Sequence, residues 1–269
     1  MKKIGLIAGN RQFPLLFCRK AKSQKPDLQI IAVAVKGEAS KKISQLADKV
    51  YWVDIGSVKK LIEIFLAENV TTLVMAGQIS PYRIFRDRKN WDDLMNNIVK
   101  SSPDFRPHSI FTEIIKEIQN NGLTFIDSVT FMEDSLAAAG INNNCYVSGE
   151  LKEQITYYAE GIRNIVDLDI GQTVVCKDRA IVAVEALEGT DNTIRRAYRI
   201  CGKGFVVVKL AKRGQDLRFD VPVVGLKTIK LLARLGAKAL VLEKDKTLVL
   251  DKPRVLALAD KANIPIIGV

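Results

Sequence analysis

The sequence predicts an α/β fold, with an N-terminal Rossmann-like parallel-sheet domain over residues 1–140 and a second, mixed α/β catalytic domain over 145–269. The first observation behind this is alternation. Short runs of apolar, β-branched residues are separated by stretches with apolar residues at helical spacing, which is the pattern of strand-helix-strand units around a parallel sheet. The second is the run Gly140-Ile141-Asn142-Asn143-Asn144, a turn or linker signal where the composition changes. The third is size, since 269 residues suffice for two modest domains.

In chain order, strands are expected at 4–8, 30–35, 50–53 and 72–75, with helices between them at 12–22, 39–47 and 58–68. A polar, Arg-rich stretch over 81–107 reads as a helical excursion or flap anchored by Trp91 and Leu94, followed by a helix at 110–119 and a strand at 124–126. Past the expected boundary, a helix fits 150–163. Strands at 173–176 and 180–186 flank Lys177-Asp178-Arg179 as a hairpin. Later strands are expected at 205–209, 239–243, 247–250 and 264–267, and later helices at 193–200, 228–235 and 253–262.

Composition excludes several function classes. The four cysteines, Cys18, Cys145, Cys176 and Cys201, form no C-x-x-C pair, and His108 is the single histidine. A structural zinc site and a His-based catalytic triad are therefore not expected, and any bound metal would be a hard cation on carboxylates, Mg²⁺ or Mn²⁺. The chain carries 41 Lys and Arg against 30 Asp and Glu, a formal charge of +11. This excess suits an anionic partner, either a phosphorylated substrate or an anionic membrane surface. The basic residues are dispersed and no RNA-binding signature or Cys/His finger accompanies them, so nucleic acid is not expected. No apolar run reaches the about 18 residues of a membrane span, and the first one breaks at Gly9-Asn10-Arg11, too early for a signal peptide. A cytoplasmic protein is expected.

Four segments could carry chemistry. In GLIAGNRQFP a strand runs into a glycine turn and a helix, so Gly9, Asn10 and Gln12 are candidates for phosphate or nucleotide binding at a helix N-terminus. The spacing matches neither G-x-G-x-x-G nor the P-loop. In VMAGQI, Gly77 and Gln78 follow the fourth strand, at the sheet end where open α/β folds bind ligands. In VEALEGTDNTIRR, Glu188 and Asp191 bracket a glycine turn, and Thr190 or Asp191 can cap the following helix. In VKLAKRGQDLRFDVP, Asp216, Arg218 and Asp220 alternate and share one face if extended. Carboxylates among cations there suit metal-assisted attack on a phosphoanhydride, and equally a surface ladder of ion pairs.

Taken together, GLIAGNRQFPLL, MAGQI, DIGQTVV, VAVEALEGTDNTIRRA, VVVKLAKRGQDLRFDVPVVG and LVLDKPRVLALADKANIPIIGV resemble the two-domain UDP-2,3-diacylglucosamine pyrophosphatases of bacterial lipid A biosynthesis, nearly end to end. The resemblance implies hydrolysis of the diphosphate to UMP and 2,3-diacylglucosamine 1-phosphate (lipid X), with the substrate held between two domains, a divalent cation, and a homodimer in peripheral contact with the inner membrane surface. It places the essential aspartate on Asp220 and gives Asp191 and Lys209 site roles. Metal ligation is then expected from Asp220 with Asp191 or Glu188. Substrate binding is expected from Gly9, Asn10, Gln12, Gly77, Gln78, Thr190, Lys209 and Arg218. One departure is the stretch Phe105-Arg106-Pro107-His108, where the family usually carries a short acidic element; a lone histidine at a helix start reads as a cap or surface residue. Two other readings remain: a nicotinamide oxidoreductase, disfavoured by the missing third glycine and by the lack of an acid after 30–35 beyond Glu38, and a non-catalytic nucleotide-sugar or lipid-binding protein.

Overall fold

Apolar residues on alternate sides of successive strands settle the architecture, which a computed structural model describes for every residue but 1, 81, 82, 84 and 85. The chain divides into two units, residues 1–132 with 217–220, and residues 133–216 with 221–269.

In the first unit, β1 (Lys3–Ala8), β2 (Gln29–Val35), β3 (Lys49–Val53), β4 (Thr72–Ala76) and β5 (Thr124–Phe125) form an all-parallel sheet in the order β3-β2-β1-β4-β5. Its helices are α1 (Phe13–Gln24), α2 (Val58–Ala67), α3 (Asp93–Ser101) and α4 (Pro107–Asn120). Phe65 of α2 packs with Leu73, Ile31 and Val33 and with Met95, Ile98, Ile115 and Ile118 of α3 and α4. Glycine at position 5 is required by this packing, because a Cβ there would lie 2.4 Å from a Leu73 methyl and 2.7 Å from the Phe65 ring. The polar stretch over 81–107 contains α3, which Asp92 caps by accepting from Met95 N; residues 81, 82, 84 and 85 of that stretch lie outside the described residues.

In the second unit, β6 (Gly140–Ile141), β7 (Thr173–Lys177), β8 (Ala180–Val184), β9 (Val206–Lys209), β11 (Ala239–Leu242) and β13 (Ile266–Gly268) form a mixed sheet ordered β6-β13-β11-β9-β7-β8. A separate parallel pair joins β10 (Val223–Val224) to β12 (Leu248–Val249). Strands β9, β11 and β13 run parallel, while β6, β7 and β8 pair antiparallel. Val207, Leu240 and Leu242 face one core with α6 (Thr190–Cys201), α7 (Leu226–Leu235) and α8 (Lys252–Lys261), whereas Val206, Val208 and Val241 face the other with α5 (Gly149–Asp167). That is the period-two alternation of strands buried on both faces. The hairpin expected around Lys177-Asp178-Arg179 is β7–β8.

Two expectations are corrected. The helix expected over 39–47 is a short 3₁₀ helix, Lys41–Gln45, because Ile43 is its one buried residue and a single anchor cannot hold a longer helix. The boundary expected at 140–144 lies instead between Met132 and Glu133. The asparagine run is bonded into the second unit: Asn142 Oδ1 accepts from Ala138 N, Asn143 Oδ1 accepts from Ile266 N, and Asn144 N donates to Asp260. No described helix is long and apolar enough to cross a membrane. The four thiols are free, and burial pushes Cys18 and Cys176 up to about 12, so both are inert.

Asp48 ties the entry of β3 to β2, accepting from Ile30 N at 2.7 Å and pairing with Lys22 at 2.8 Å. Burial raises its pKa, but the Ile30 N–H and the Lys22 ammonium outweigh this and leave it below the ordinary value. A depressed carboxyl stabilises the fold above its unfolded pKa and loses that contribution as pH falls through the folded one. The gap in urea midpoint between wild type and Asp48→Asn is therefore expected to be largest at neutral pH and to close as pH drops below about 4; a gap independent of pH would contradict this.

Candidate active site

The sheet order of the first unit creates a switch point. From β1 the chain winds outward to β2 and β3, then crosses back to β4 on the other side of β1. In open α/β sheets the crevice beyond the carboxyl ends of those two central strands is where ligands bind. Gly9 and Asn10 leave β1 there, and Gly77 and Gln78 leave β4. Gly9 N donates to Ala76 O and Asn10 N to Gln78 O, both at 2.8 Å. The backbones approach so closely that a Cβ on Gly9 would lie 2.6 Å from Gly77 O, and Gly77 itself has φ +85°. The sequence offered these residues as two separate turns, and the fold brings the turns into contact. Gln12 lies on the exposed turn before α1 and offers no side-chain cap to it.

Around Asn10 the fold gathers Glu38, which the sequence offered only as an acid after the second strand, with Ser80 and Arg83. Asn10 Nδ2 donates to Glu38 Oε2 at 2.7 Å, Ser80 Oγ donates to the same oxygen at 3.1 Å, and Arg83 reaches Glu38 Oε1 at 3.4 Å. The Glu38 side chain is 3% exposed. Burial works against the charge of Arg83, but its bond to Asp87 and the nearby Glu38 carboxylate carry the guanidinium above its usual pKa. A cleft lined by Lys3, Asp27, Gln29 and Thr72 lies at the opposite, amino end of β1, β2 and β4, the wrong end for a ligand of this fold.

Arg218 and Asp220 belong to the first unit although the chain around them belongs to the second. Residues 217–220 are bonded to the end of the parallel-sheet domain, where Ser128 N donates to Leu217 O at 2.8 Å and Ser128 Oγ to Arg218 O at 2.7 Å. Phe219 packs into the first unit's core, its ring stacked 6.0 Å from Phe111 and tilted 5.2 Å from His108. His108 is thus neither a cap nor a surface residue. It is half-buried, and its Nδ1 lacks a hydrogen-bond partner among the described residues. Arg218 bonds to Gln119 Oε1 of α4.

The second unit assembles a buried cation. Lys209 ends β9 directly opposite Thr173 of β7, so their side chains share one face of the sheet. Lys209 Nζ donates to Thr173 Oγ1 and to Thr190 Oγ1, each at 3.2 Å, and lies 3.8 Å from Glu185 Oε2. Thr190 Oγ1 in turn donates to Glu185 Oε1 at 3.1 Å. Lys209 is 5% exposed. Glycine at 171 lets the Glu185 backbone close in, since a Cβ there would sit 2.2 Å from Glu185 O. Thr190 is the first residue of α6 and spends its hydroxyl on this cluster. The N-cap is Gly189, which supplies no capping side chain and whose missing Cβ faces open space. An ammonium beside an uncapped helix N-terminus attracts oxyanions. Thr173 and Glu185 are the residues that motif reading missed, because only the sheet pairing brings them to Lys209.

The other two acids expected to hold metal are already engaged. Asp191 Oδ1 accepts from Thr228 and Oδ2 pairs with Lys227 at 3.2 Å. Glu188 pairs with Arg196 and accepts from Ala186 N and Thr193 Oγ1. Burial raises the Glu188 pKa, yet the Arg196 guanidinium and backbone N–H groups pull it below its usual value. Among the described residues no three His, Cys, Asp or Glu side chains converge as a metal cage. Within the second unit, Glu188 and Asp191 are each paired with a basic side chain and form no preassembled acidic cage among the described residues. A hard cation held through one carboxylate and the substrate's own phosphates, the common Mg²⁺ mode, remains compatible with this arrangement.

The buried Lys209–Glu185 pair makes a stability prediction. Lys209→Met strands the Glu185 carboxylate and is expected to cost roughly 3 kcal/mol in denaturant unfolding, whereas Lys209→Met with Glu185→Gln recovers most of that loss. Additive losses in the double variant would show that the two side chains are not coupled.

Comparison with known proteins follows the same two-part division. The model of the LpxI N-terminal domain matches residues 3–135, and that of the LpxI C-terminal domain matches 138–267. Across 283 aligned positions the chain is 26% identical to the UDP-2,3-diacylglucosamine pyrophosphatase LpxI of Caulobacter vibrioides, with all of this chain and 98% of that protein covered. Among solved structures, the biotin carboxylase domain of Hydrogenobacter thermophilus 2-oxoglutarate carboxylase aligns with 74% of this chain at TM-score 0.29 and 12% identity, and this chain spans 40% of it. A biotin carboxylase subunit of pyruvate carboxylase aligns with 70% at TM-score 0.29 and 13% identity, with 39% of that chain covered. Likenesses so distant carry no argument about function. With both of its domain models matched in order along the sequence, the chain belongs to the LpxI family.

Proposed function

We propose that this protein hydrolyses the diphosphate of UDP-2,3-diacylglucosamine to UMP and lipid X in lipid A biosynthesis. The observation that carries the reading is the Lys209 ammonium, buried beside the open N-terminus of α6 in a chain of this family. Such a centre binds a phosphate oxygen and stabilises the charge that develops when a phosphoanhydride is attacked. Thr173 and Thr190 hold the Lys209 side chain in place, and Glu185 lies 3.8 Å from it. Asp220 is the essential carboxylate in this reading, orienting the attacking water, and Phe219 fixes the segment that carries it. Mg²⁺ or Mn²⁺, held by Asp220 and the diphosphate, would neutralise charge on the phosphates and acidify water. Asp191 and Glu188 keep structural duties around α6, given their pairing with Lys227 and Arg196.

The net charge of +11 supports peripheral contact with an anionic inner membrane, where an acylated substrate resides, and a cytoplasmic location goes with it. The homodimer rests on the family resemblance.

The test is UMP release from UDP-2,3-diacylglucosamine with Mg²⁺, with and without EDTA. Wild type is expected to release UMP in a chelator-sensitive way, and Asp220→Ala to fall by about a thousandfold or more while still binding substrate. Turnover unaffected by Asp220→Ala would remove that residue from the centre. Binding without turnover under any cation would establish a binding protein instead.

A further inference from the structure

We infer that Asn10, Glu38 and Ser80 form a subsite for the ribose hydroxyls of a nucleotide, at the switch point of the first unit. The inference deepens the proposed hydrolase reading by assigning its nucleoside end.

The cluster is rich in acceptors and short of donors. Asn10 Oδ1 is buried and makes no hydrogen bond among the described residues. Its orientation is fixed chemically, because the amide must turn its NH₂ toward the Glu38 carboxylate, which leaves the oxygen facing the other way. Glu38 Oε2 already takes Asn10 and Ser80, while Oε1 has, among the described residues, the 3.4 Å contact from Arg83 alone. Two acceptors therefore await hydrogen-bond donors. A phosphate brings acceptors alone and would be repelled by Glu38, so the diphosphate does not belong here. Vicinal hydroxyls bring two donors a short distance apart and match both vacancies.

Position agrees with this chemistry. Glu38 lies three residues past the end of β2, and Asn10 follows β1, beside the crevice where β1 and β4 diverge. In parallel α/β sheets that bind nucleotides, an acid beyond the second strand takes the ribose hydroxyls. The glycine-rich phosphate turn of dinucleotide folds is absent, so the likeness is confined to the sugar. The close Gly9–Gly77 backbones hold Asn10 in register with Glu38, since Asn10 N is bonded to Gln78 O at 2.8 Å.

Calorimetric titration of the full chain with UMP, 2′-deoxy-UMP and 2′,3′-dideoxy-UMP tests this without requiring turnover. Wild type is expected to bind UMP at least about tenfold more tightly than the dideoxy nucleotide. Glu38→Gln, which preserves shape, is expected to lose most of that preference, and Ser80→Ala part of it, with thermal melting confirming that both fold. Equal affinity for the three nucleotides, or no binding of any, would overturn the assignment. So would a Glu38→Gln protein of altered stability but unchanged preference, which would make the cluster a strut. A ribose preference in a protein that releases no UMP would sustain the subsite and sink the hydrolase reading. UMP release without a ribose preference would do the reverse.

Discussion

Aromatic packing by Phe219 anchors the segment carrying Asp220. Phe219, set against Phe111 and His108 on α4, holds residues 217–220 on the first unit, while the chain on both sides of them belongs to the second. The two bonds from Ser128, about 1 kcal/mol each, and the Arg218–Gln119 bond hold the neighbouring residues there as well. A partly buried phenyl ring adds about 1–3 kcal/mol more, and its stacking fixes orientation as well as position. Rigid placement matters because a carboxylate that orients water loses effect with small displacements.

Charge is handled differently in the two units. Around Lys209 the fold surrounds a nearly sealed lysine with two hydroxyls and a carboxylate. Around Asn10 it buries a carboxylate under an amide, a hydroxyl and a guanidinium. The first arrangement offers positive potential to an oxyanion, and the second offers acceptors to hydroxyls.

The sequence made much of this legible. Strands β1, β2, β4 and β9 are continuous apolar runs, because both faces of each are covered, and such runs are hard to mistake. Gly9 and Gly77 were readable as turn residues at strand ends, which is where the close backbone approach requires them. The short 3₁₀ segment at Lys41–Gln45 was not, since its polar residues are compatible with helix and only the count of buried anchors argues against one. The asparagines at 142–144 look like a linker in sequence, yet the amide oxygens of Asn142 and Asn143 accept from Ala138 N and from Ile266 N of β13. Thr173 and Glu185 escaped notice, and Glu38 and His108 were read without their partners, for a shared reason. Their partners lie far along the chain and meet them only through sheet order or helix packing.

The most direct measurement is the steady-state kinetics of UMP release by Phe219→Ala beside Phe219→Leu. If Phe219 holds Asp220 in place, the alanine variant loses at least about a hundredfold in kcat with KM little changed, and leucine, which refills much of the volume, restores part of it. Wild-type kcat in a folded Phe219→Ala protein would contradict the anchoring role and, with it, the role proposed for Asp220.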